Sequence, residues 1–451
     1  MRVFVVLAVS LFPLFLFAQS GYTSYFTGSA TDVSPDTKGG VCLMGGATES
    51  DEAMQWFLLQ ASGGDILVLR ASGSDGYNQY LYSDLNVTVN SVETIVFTDP
   101  MAAFDPYVHQ RISEAEAIWF AGGNQWNYVS YWRDTPVDSL IRAGISERNL
   151  VIGGTSAGMA ILGQGVFTAE QGTVTSAQAL QDPYHPNMSL DSAEFMAVPF
   201  LERVITDTHY DDPDRKGRHV AFLAHTATEW GWEIRGIACD EYTAVCIDSL
   251  GMARVYGNYP TYDDNAYFLQ MNCSLDSMGP ELCAPGQALQ WERDSAAVLV
   301  YHARGTSFGS QRFDLSNWQE GFGGSWEHWY VQQGNLVETA GIAPVCDTTR
   351  MDTTGSDTTI NDTTTTGFFP EANDGPELDL VPYPDRLEVI AQRPIIQRVE
   401  ILDIQGRRLE SRQFTPPTLQ ATIPLHRDLR GFLLLQYHTT EGLVTQKWRR
   451  P

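Results

Sequence analysis

Ser156 lies in a segment whose glycines and flanking elements are typical of a catalytic nucleophile. Residues 153–158 read Gly-Gly-Thr-Ser-Ala-Gly, between an apolar strand at 150–152 and a helical stretch at 159–162. In this G-x-S-x-G context a strand turns sharply into a helix and exposes the serine hydroxyl. We therefore predict that Ser156 is a nucleophile and that the Ala157 N–H donates to an oxyanion. A structural or phosphate-binding glycine turn would explain the same letters.

A serine nucleophile needs a base and a group that orients the base. Of the nine histidines, His209 follows the apolar strand Arg203–Thr206, so we expect it at the same sheet edge as Ser156. Glu241, or less favourably Asp240, ends a further apolar strand and could orient the imidazole. The alternative explanations are a solvated loop histidine and charges that merely cap a strand.

A fourth segment could complete such a site. The apolar strand ending at Ala121 runs into Gly122-Gly123, a turn that can offer backbone N–H groups to an oxyanion. Gln125 follows and could reach a substrate amide or carboxylate. A purely structural turn explains the glycines equally well.

Alternating strands and helices from Gly39 to Ile247 must position these groups. Nearly continuous apolar runs indicate strands buried on both faces, and their alternation with helices predicts an α/β fold with a doubly wound, mostly parallel sheet. Sites in such folds form at the carboxyl ends of the strands. The predicted strands are Gly40–Gly45, Asp65–Arg70, Glu93–Thr98, Ala115–Ala121, Asn149–Gly153, Arg203–Thr206 and Gly236–Glu241, with helices at Glu52–Gln60 and Trp126–Arg142.

In this order, the four segments resemble the cyanophycinase and dipeptidase E family of serine peptidases, peptidase family S51. The matching pieces are Gly122–Gln125, Gly154–Gly158, Asp207–Tyr210 and Gly236–Glu241, and Arg215–Arg218 resembles the Arg-x-Gly-Arg piece that follows the family's histidine. The resemblance implies a sheet similar to that of class I glutamine amidotransferases. It also implies hydrolysis of short peptides or cyanophycin-like polymers through an acyl-enzyme, without a cofactor, and allows a homodimer.

Carried over residue by residue, the resemblance implies specific roles. The triad would be Ser156, His209 and Glu241, with Glu170 as an alternative acid. The oxyanion donors would be Gly122, Gly123 and Ala157, and the substrate-binding residues Gln125, Asp207, Arg215 and Arg218. Pro213 stands where cyanophycinases have a further arginine, so the substrate stays open between cyanophycin, aspartyl dipeptides and other peptides.

The termini differ in composition from the rest of the chain. A charged start, an apolar run at 3–17 and a small residue at Ala18 predict a signal peptide at 1–18. A peptidase domain follows at 19–344, then an Asp/Thr-rich linker at 345–377 with too few apolar residues to fold. Alternating apolar residues at 378–451 predict a small all-β domain, a β-sandwich.

This last domain has its own resemblance. Tyr383-Pro-Asp385, the segment 399–406 and the basic end at 447–450 resemble the sorting domain of the type IX secretion system. The full pattern usually has Tyr-Pro-Asn-Pro, so Asp385 is a departure. The resemblance implies export by that machinery to the cell surface or the medium.

The charge and the cysteine content of the chain bear on its binding partners, its disulfide bridges and its capacity to bind metal. The chain has 28 basic and 55 acidic residues, and its net charge of −27 opposes nucleic-acid binding. Its six cysteines are too few for a disulfide scaffold. Cys273 and Cys283 bracket a short segment and are the predicted bridge. No motif with metal-ligand spacing is present, so no metal site is predicted.

Two other functions compete with the peptidase. An α/β-hydrolase esterase shares G-x-S-x-G, but its order is serine, acid, histidine, and only His302 and His328 remain between Glu241 and the linker. A non-catalytic binding protein could instead hold a ligand with aromatic side chains. Its candidates are Trp318, Trp326 and Trp329.

Overall fold

The computed structural model describes residues 21–192, 195–346 and seven strands between 378 and 449. The predicted signal peptide at 1–18 and all but the first two residues of the predicted linker at 345–377 lie outside the described residues. In the described part of the chain, no helix is long and apolar enough to cross a membrane.

The elements follow one another in the order expected for alternating strands and helices up to residue 247. The helices are α1 (Asp51–Gln60), α2 (Gly76–Gln79), α3 (Pro106–Glu114), α4 (Gln125–Trp132), α5 (Pro136–Arg148), α6 (Ala157–Ala160), α7 (Ser176–Gln181) and α8 (Lys216–Glu229). The first strands are β1 (Tyr22–Gly28), β2 (Val41–Met44), β3 (Asp65–Arg70), β4 (Ser91–Phe97), β5 (Ala117–Phe120), β6 (Val151–Thr155), β7 (Val166–Phe167), β8 (Leu190–Asp191), β9 (Val204–Asp207), β10 (Arg235–Cys239) and β11 (Ala244–Ile247). The later ones are β12 (Met252–Tyr256), β13 (Asn265–Met271), β14 (Val298–Arg304), β15 (Gln311–Asp314), β16 (Gly321–Phe322), β17 (Ser325–Gln332) and β18 (Asn335–Ala340).

A ten-stranded sheet forms the first half of the core, in the order β1-β4-β3-β5-β6-β2-β11-β12-β15-β16. Its central strands, from β4 to β2, are parallel, and antiparallel strands extend it on both sides. The parallel strands β2 to β6 are almost wholly buried, which agrees with their continuous apolar runs. The mixed α/β fold with a parallel centre is therefore as the sequence predicts.

The prediction of one sheet for all site strands is wrong. Strands β9 and β10 belong to a second, six-stranded sheet, in the order β18-β17-β14-β13-β10-β9. Only the β9–β10 pair is parallel there. A buried apolar run looks the same in either sheet, so the sequence does not reveal the change. After β10 the chain turns at residues 240–243 and returns to the first sheet, where β11 pairs with β2.

The predicted helix Trp126–Arg142 is two helices. Helix α4 ends at Trp132, and α5 begins at Pro136 after Thr135, whose hydroxyl accepts a hydrogen bond from the Val137 N–H at 3.2 Å. Proline has no N–H to donate and suits the first turn of a helix, so this pair starts a new helix within the apolar pattern.

The predicted Cys273–Cys283 bridge is also wrong. Cys273, just after β13, is bonded to Cys346, 73 residues later, where the chain returns after β18. Cys283 has a free thiol and packs, partly buried, against the hydrophobic core. Proximity in sequence favoured the shorter loop, whereas the path of β14 to β18 decides which thiols meet.

The C-terminal region contains the predicted β structure. Its strands are β19 (Leu378–Pro382), β20 (Arg386–Ala391), β21 (Ile396–Asp403), β22 (Arg408–Thr418), β23 (Gln420–Pro424), β24 (Phe432–Thr439) and β25 (Gly442–Arg449). They form a three-stranded sheet, β19-β20-β23, and a four-stranded sheet, β22-β21-β24-β25. The sorting role of this region stays a prediction.

A buried carboxyl at the amino-terminal edge of the first sheet makes stability depend on pH. Glu116 is 4% exposed and accepts the Asp65 N–H at 2.7 Å. Burial raises its pKa to about 7. The folded protein therefore holds this proton at pH values where the unfolded chain has lost it, and stability falls as pH rises from about 4.5 to 7.

We expect Glu116→Gln to remove that part of the pH dependence, because glutamine keeps an acceptor for Asp65 and does not titrate. Urea unfolding of wild type and variant at pH 4.5, 6 and 7.5 measures this. The unfolding free energy of the variant, relative to that of wild type, should increase as pH rises. A difference that stays constant over this range would contradict the assignment.

Candidate active site

Ser156 lies at the turn between β6 and α6. Its backbone has φ 52° and ψ −117°, a left-handed conformation that is costly for a residue with a side chain. The Ser156 N–H is held by the Met44 carbonyl at 3.0 Å. A Cβ at Gly158 would overlap the Phe120 carbonyl oxygen, so the helix can approach β5 only with glycine at this position.

His209 and Glu241 meet this serine from the second sheet. The Ser156 Oγ lies 2.8 Å from His209 Nε2, and His209 Nδ1 lies 2.6 Å from Glu241 Oε1. An ionised carboxylate only accepts hydrogen bonds, so Nδ1 carries the proton and Nε2 is free to accept the serine proton. The side chains of His209 and Glu241 are 24% and 25% exposed. This arrangement can activate a hydroxyl for nucleophilic attack.

The other candidate acids lie elsewhere. Asp240 is buried and accepts a hydrogen bond from Asn265 Nδ2 at 2.9 Å, and burial raises its pKa to about 7. Glu170 is exposed, and its N–H bonds to the Thr168 hydroxyl oxygen at 3.4 Å. Of the candidates, the structure brings only Glu241 to His209.

The Gly122-Gly123 turn lies beside the serine. A Cβ at Gly122 would be 3.7 Å from the Ser156 Cβ. The turn is fixed from α4, because the Tyr128 hydroxyl donates to the Gly122 carbonyl at 3.1 Å. Gln125 begins α4 and donates from Nε2 to the Phe167 carbonyl at 3.4 Å. The turn and Ala157, the first residue of α6, are therefore positioned to face a group bound at Ser156.

Two of the predicted substrate-binding residues do not line an open pocket. Asp207 and Arg218 are 3% and 4% exposed, and they bind each other through two hydrogen bonds of 2.5 and 2.8 Å. Burial alone would raise the pKa of Asp207, but the Arg218 guanidinium holds it below its usual value. This pair supports the strand that carries His209, and the burial of both side chains argues against the predicted contact with substrate.

Arg215 differs from Arg218. Its Nη1 donates to the Thr208 carbonyl at 2.8 Å, while its Nε is buried and has no hydrogen-bond partner among the described residues. Burial and the neighbouring Arg218 lower its pKa. Of the two arginines predicted to bind substrate, Arg215 is thus the one that has a guanidinium nitrogen without a hydrogen-bond partner among the described residues.

Gly46 is a site residue that the sequence analysis missed. It follows β2 with φ 129°, and a Cβ there would lie 2.5 Å from the His209 Cε1. Its carbonyl also accepts the Tyr242 N–H at 3.1 Å, next to Glu241. The sequence feature that could have identified Gly46 is the Gly45-Gly46 pair directly after an apolar strand.

The alternative aromatic site is not formed. Trp318 and Trp329 are 1% and 0% exposed, and the partly buried Trp326 packs against the hydrophobic core. These side chains stabilise the core and do not present a ligand surface. Among the described residues, no group of three or more His, Cys, Asp or Glu side chains could hold a metal ion.

Residues 74–249, which include the whole triad, match the model of peptidase family S51. The chain spans less than two thirds of the length of the curated relatives that it matches. A cyanophycinase of Synechococcus elongatus is 28% identical over 230 residues, 49% of this chain and 66% of the relative. A cyanophycinase of Trichormus variabilis is 28% identical over 152 residues, 33% of this chain and 45% of the relative.

The solved structures that resemble part of this chain include a peptidase from an acI-B1 Actinobacterium. It is 13% identical with a TM-score of 0.38, and the match covers 51% of this chain and 91% of that one.

The close approach of Gly46 to the imidazole generates a prediction. We expect Gly46→Ala to abolish reaction of the protein with a serine-directed fluorophosphonate, because the new methyl group displaces His209. The control is Gly172→Ala, which also has a positive φ but has open space around the new Cβ. Equal labelling of both folded variants would contradict the packing described.

Proposed function

We propose that this chain is an exported serine peptidase that hydrolyses short peptides or cyanophycin-like aspartate-containing polymers. The observation that carries the proposal is the continuous hydrogen-bonded series from Ser156 through His209 to Glu241, at 2.8 and 2.6 Å. The family match supports a peptidase, and the cyanophycinase relatives support the substrate class. Export rests on the pattern of residues 1–18 and on the C-terminal resemblance.

The mechanism follows from the geometry. As Ser156 Oγ attacks the scissile carbonyl carbon, His209 Nε2 accepts its proton, and Glu241 stabilises the imidazolium that forms. The Gly122-Gly123 turn and the Ala157 N–H stabilise the oxyanion. The imidazolium then protonates the leaving amine, and water attacks the acyl-enzyme in the same way to release the acid and free Ser156.

Arg215 supplies the substrate preference in this proposal. Arg215 is only partly buried, so its positive charge can favour a carboxylate of the substrate near the scissile bond. Aspartyl peptides provide such a group. Arg218 does not compete for it, because Asp207 already occupies that guanidinium.

Hydrolysis by the full chain tests the reaction. We expect wild type to release product from cyanophycin or from α- or β-aspartyl dipeptides, and Ser156→Ala to lose on the order of 10⁶-fold in kcat. Ser139→Ala, at an exposed serine of α5, is the matched control and should keep full activity. Turnover that survives in Ser156→Ala would exclude this serine as the nucleophile.

A second comparison tests the role of Arg215. We expect Arg215→Ala to lower kcat/KM on an aspartyl peptide about 10- to 100-fold, the value of a charge-assisted hydrogen bond. On the matching asparaginyl peptide the loss should be much smaller. Arg203→Ala, an exposed arginine just before β9, serves as control. An equal loss on both peptides would mean that Arg215 acts on the fold and not on the substrate carboxylate.

A further inference from the structure

A partly buried hydrogen-bond network leads from Asp240, the neighbour of the triad acid Glu241, into the antiparallel strands beyond residue 249. The Asn265 Nδ2 on β13 donates to Asp240 Oδ2 at 2.9 Å, and its Oδ1 lies 2.8 Å from His302 Nε2 on β14. His302 Nδ1 lies 3.0 Å from Glu327 Oε1 on β17. The other oxygen of Glu327 accepts the Trp329 indole N–H at 2.7 Å.

The ring of His302 is held from both sides. The Asn265 Nδ2 donates to the Asp263 carbonyl at 2.7 Å as well as to Asp240, so the oxygen of this amide must face His302. Both ring nitrogens of His302 therefore face acceptors, an amide oxygen and a carboxylate. Burial alone would raise the pKa of Glu327, but its bonds from His302 and Trp329 hold it below the usual value. The His302 ring thus links the Asn265 amide to Glu327.

Asn265 holds the residue next to the triad acid at two points. Besides the side-chain bond, its carbonyl accepts the Asp240 N–H at 2.9 Å. Asp240 directly precedes Glu241, whose own N–H bonds to Asp211 Oδ1 at 2.9 Å in an exposed contact. The buried Asn265 therefore supports this turn through two hydrogen bonds.

We propose that Asn265 and His302 are positioning residues, which hold the turn at residues 240–241 and with it the carboxylate of Glu241. The proposal rests on the proposed function. Without the His302 ring, the Asn265 side-chain oxygen would lose the partner that fixes the orientation of this amide. The other groups that face this network are Tyr267, stacked on His302 at 4.8 Å, and Asp211 and Lys216, which face Asp240.

His302→Phe tests the proposal in the full chain, because phenylalanine can keep the stacking on Tyr267 and removes both donors. We expect kcat and the rate of fluorophosphonate labelling to fall about 10- to 100-fold, as a slightly misplaced catalytic group would cause. KM should stay within about twofold. The control is His328→Phe on β17, beside Glu327, whose ring makes no hydrogen bond among the described residues and which should behave as wild type.

NMR of histidine-labelled Ser156→Ala gives a readout that needs no turnover. We expect a low-field Nδ1 proton of His209 that His302→Phe weakens or shifts. An unchanged His209 signal, or wild-type rates in folded His302→Phe, would overturn the proposal. If wild type itself neither labels nor hydrolyses, the proposed function fails, and the His209 signal alone decides this inference.

Discussion

The hydrogen bond between Ser156 and His209 is the contact on which the site depends, because it joins two different sheets. Ser156 follows β6 of the first sheet, His209 follows β9 of the second, and both have positive φ. Such backbones cost on the order of 1 kcal/mol or more each and persist only where surrounding contacts hold them. Here the Gly45 carbonyl binds the His209 N–H, and the Cys239 carbonyl binds the N–H of Tyr210.

The segment before and after His209 is anchored from α8 by buried polar pairs. Asp207 is paired with Arg218, and the buried His219 bonds through its two ring nitrogens to the Tyr210 hydroxyl and the Ile205 carbonyl, each at 3.2 Å. Burial lowers the pKa of His219 to about 4, so its ring is neutral and accepts from the tyrosine hydroxyl. Removing one partner of a buried ion pair costs about 3–5 kcal/mol. These residues serve the site by keeping its base in place.

The turn at residues 240–243 links the two sheets and carries the triad acid. It packs so tightly on β2 that a Cβ at Gly45 would overlap the Asp240 carbonyl oxygen. On its other side it meets β13, through Asn265. The strands after residue 249 thus complete the support of the acid, although the family match ends before them.

The sequence by itself determined which side chains could do chemistry and which elements carry them. The glycines around Ser156 and the apolar runs of β2 to β6 encode local conformation and burial, so the elbow and the parallel strands could be predicted. Tertiary structure alone decided that β9 and β10 join a second sheet and that Arg218 pairs with Asp207. It also decided that Cys273 is bonded to Cys346 and that Gly46 lies against the His209 imidazole. Each depends on contacts between segments distant in sequence, which neither periodicity nor spacing records.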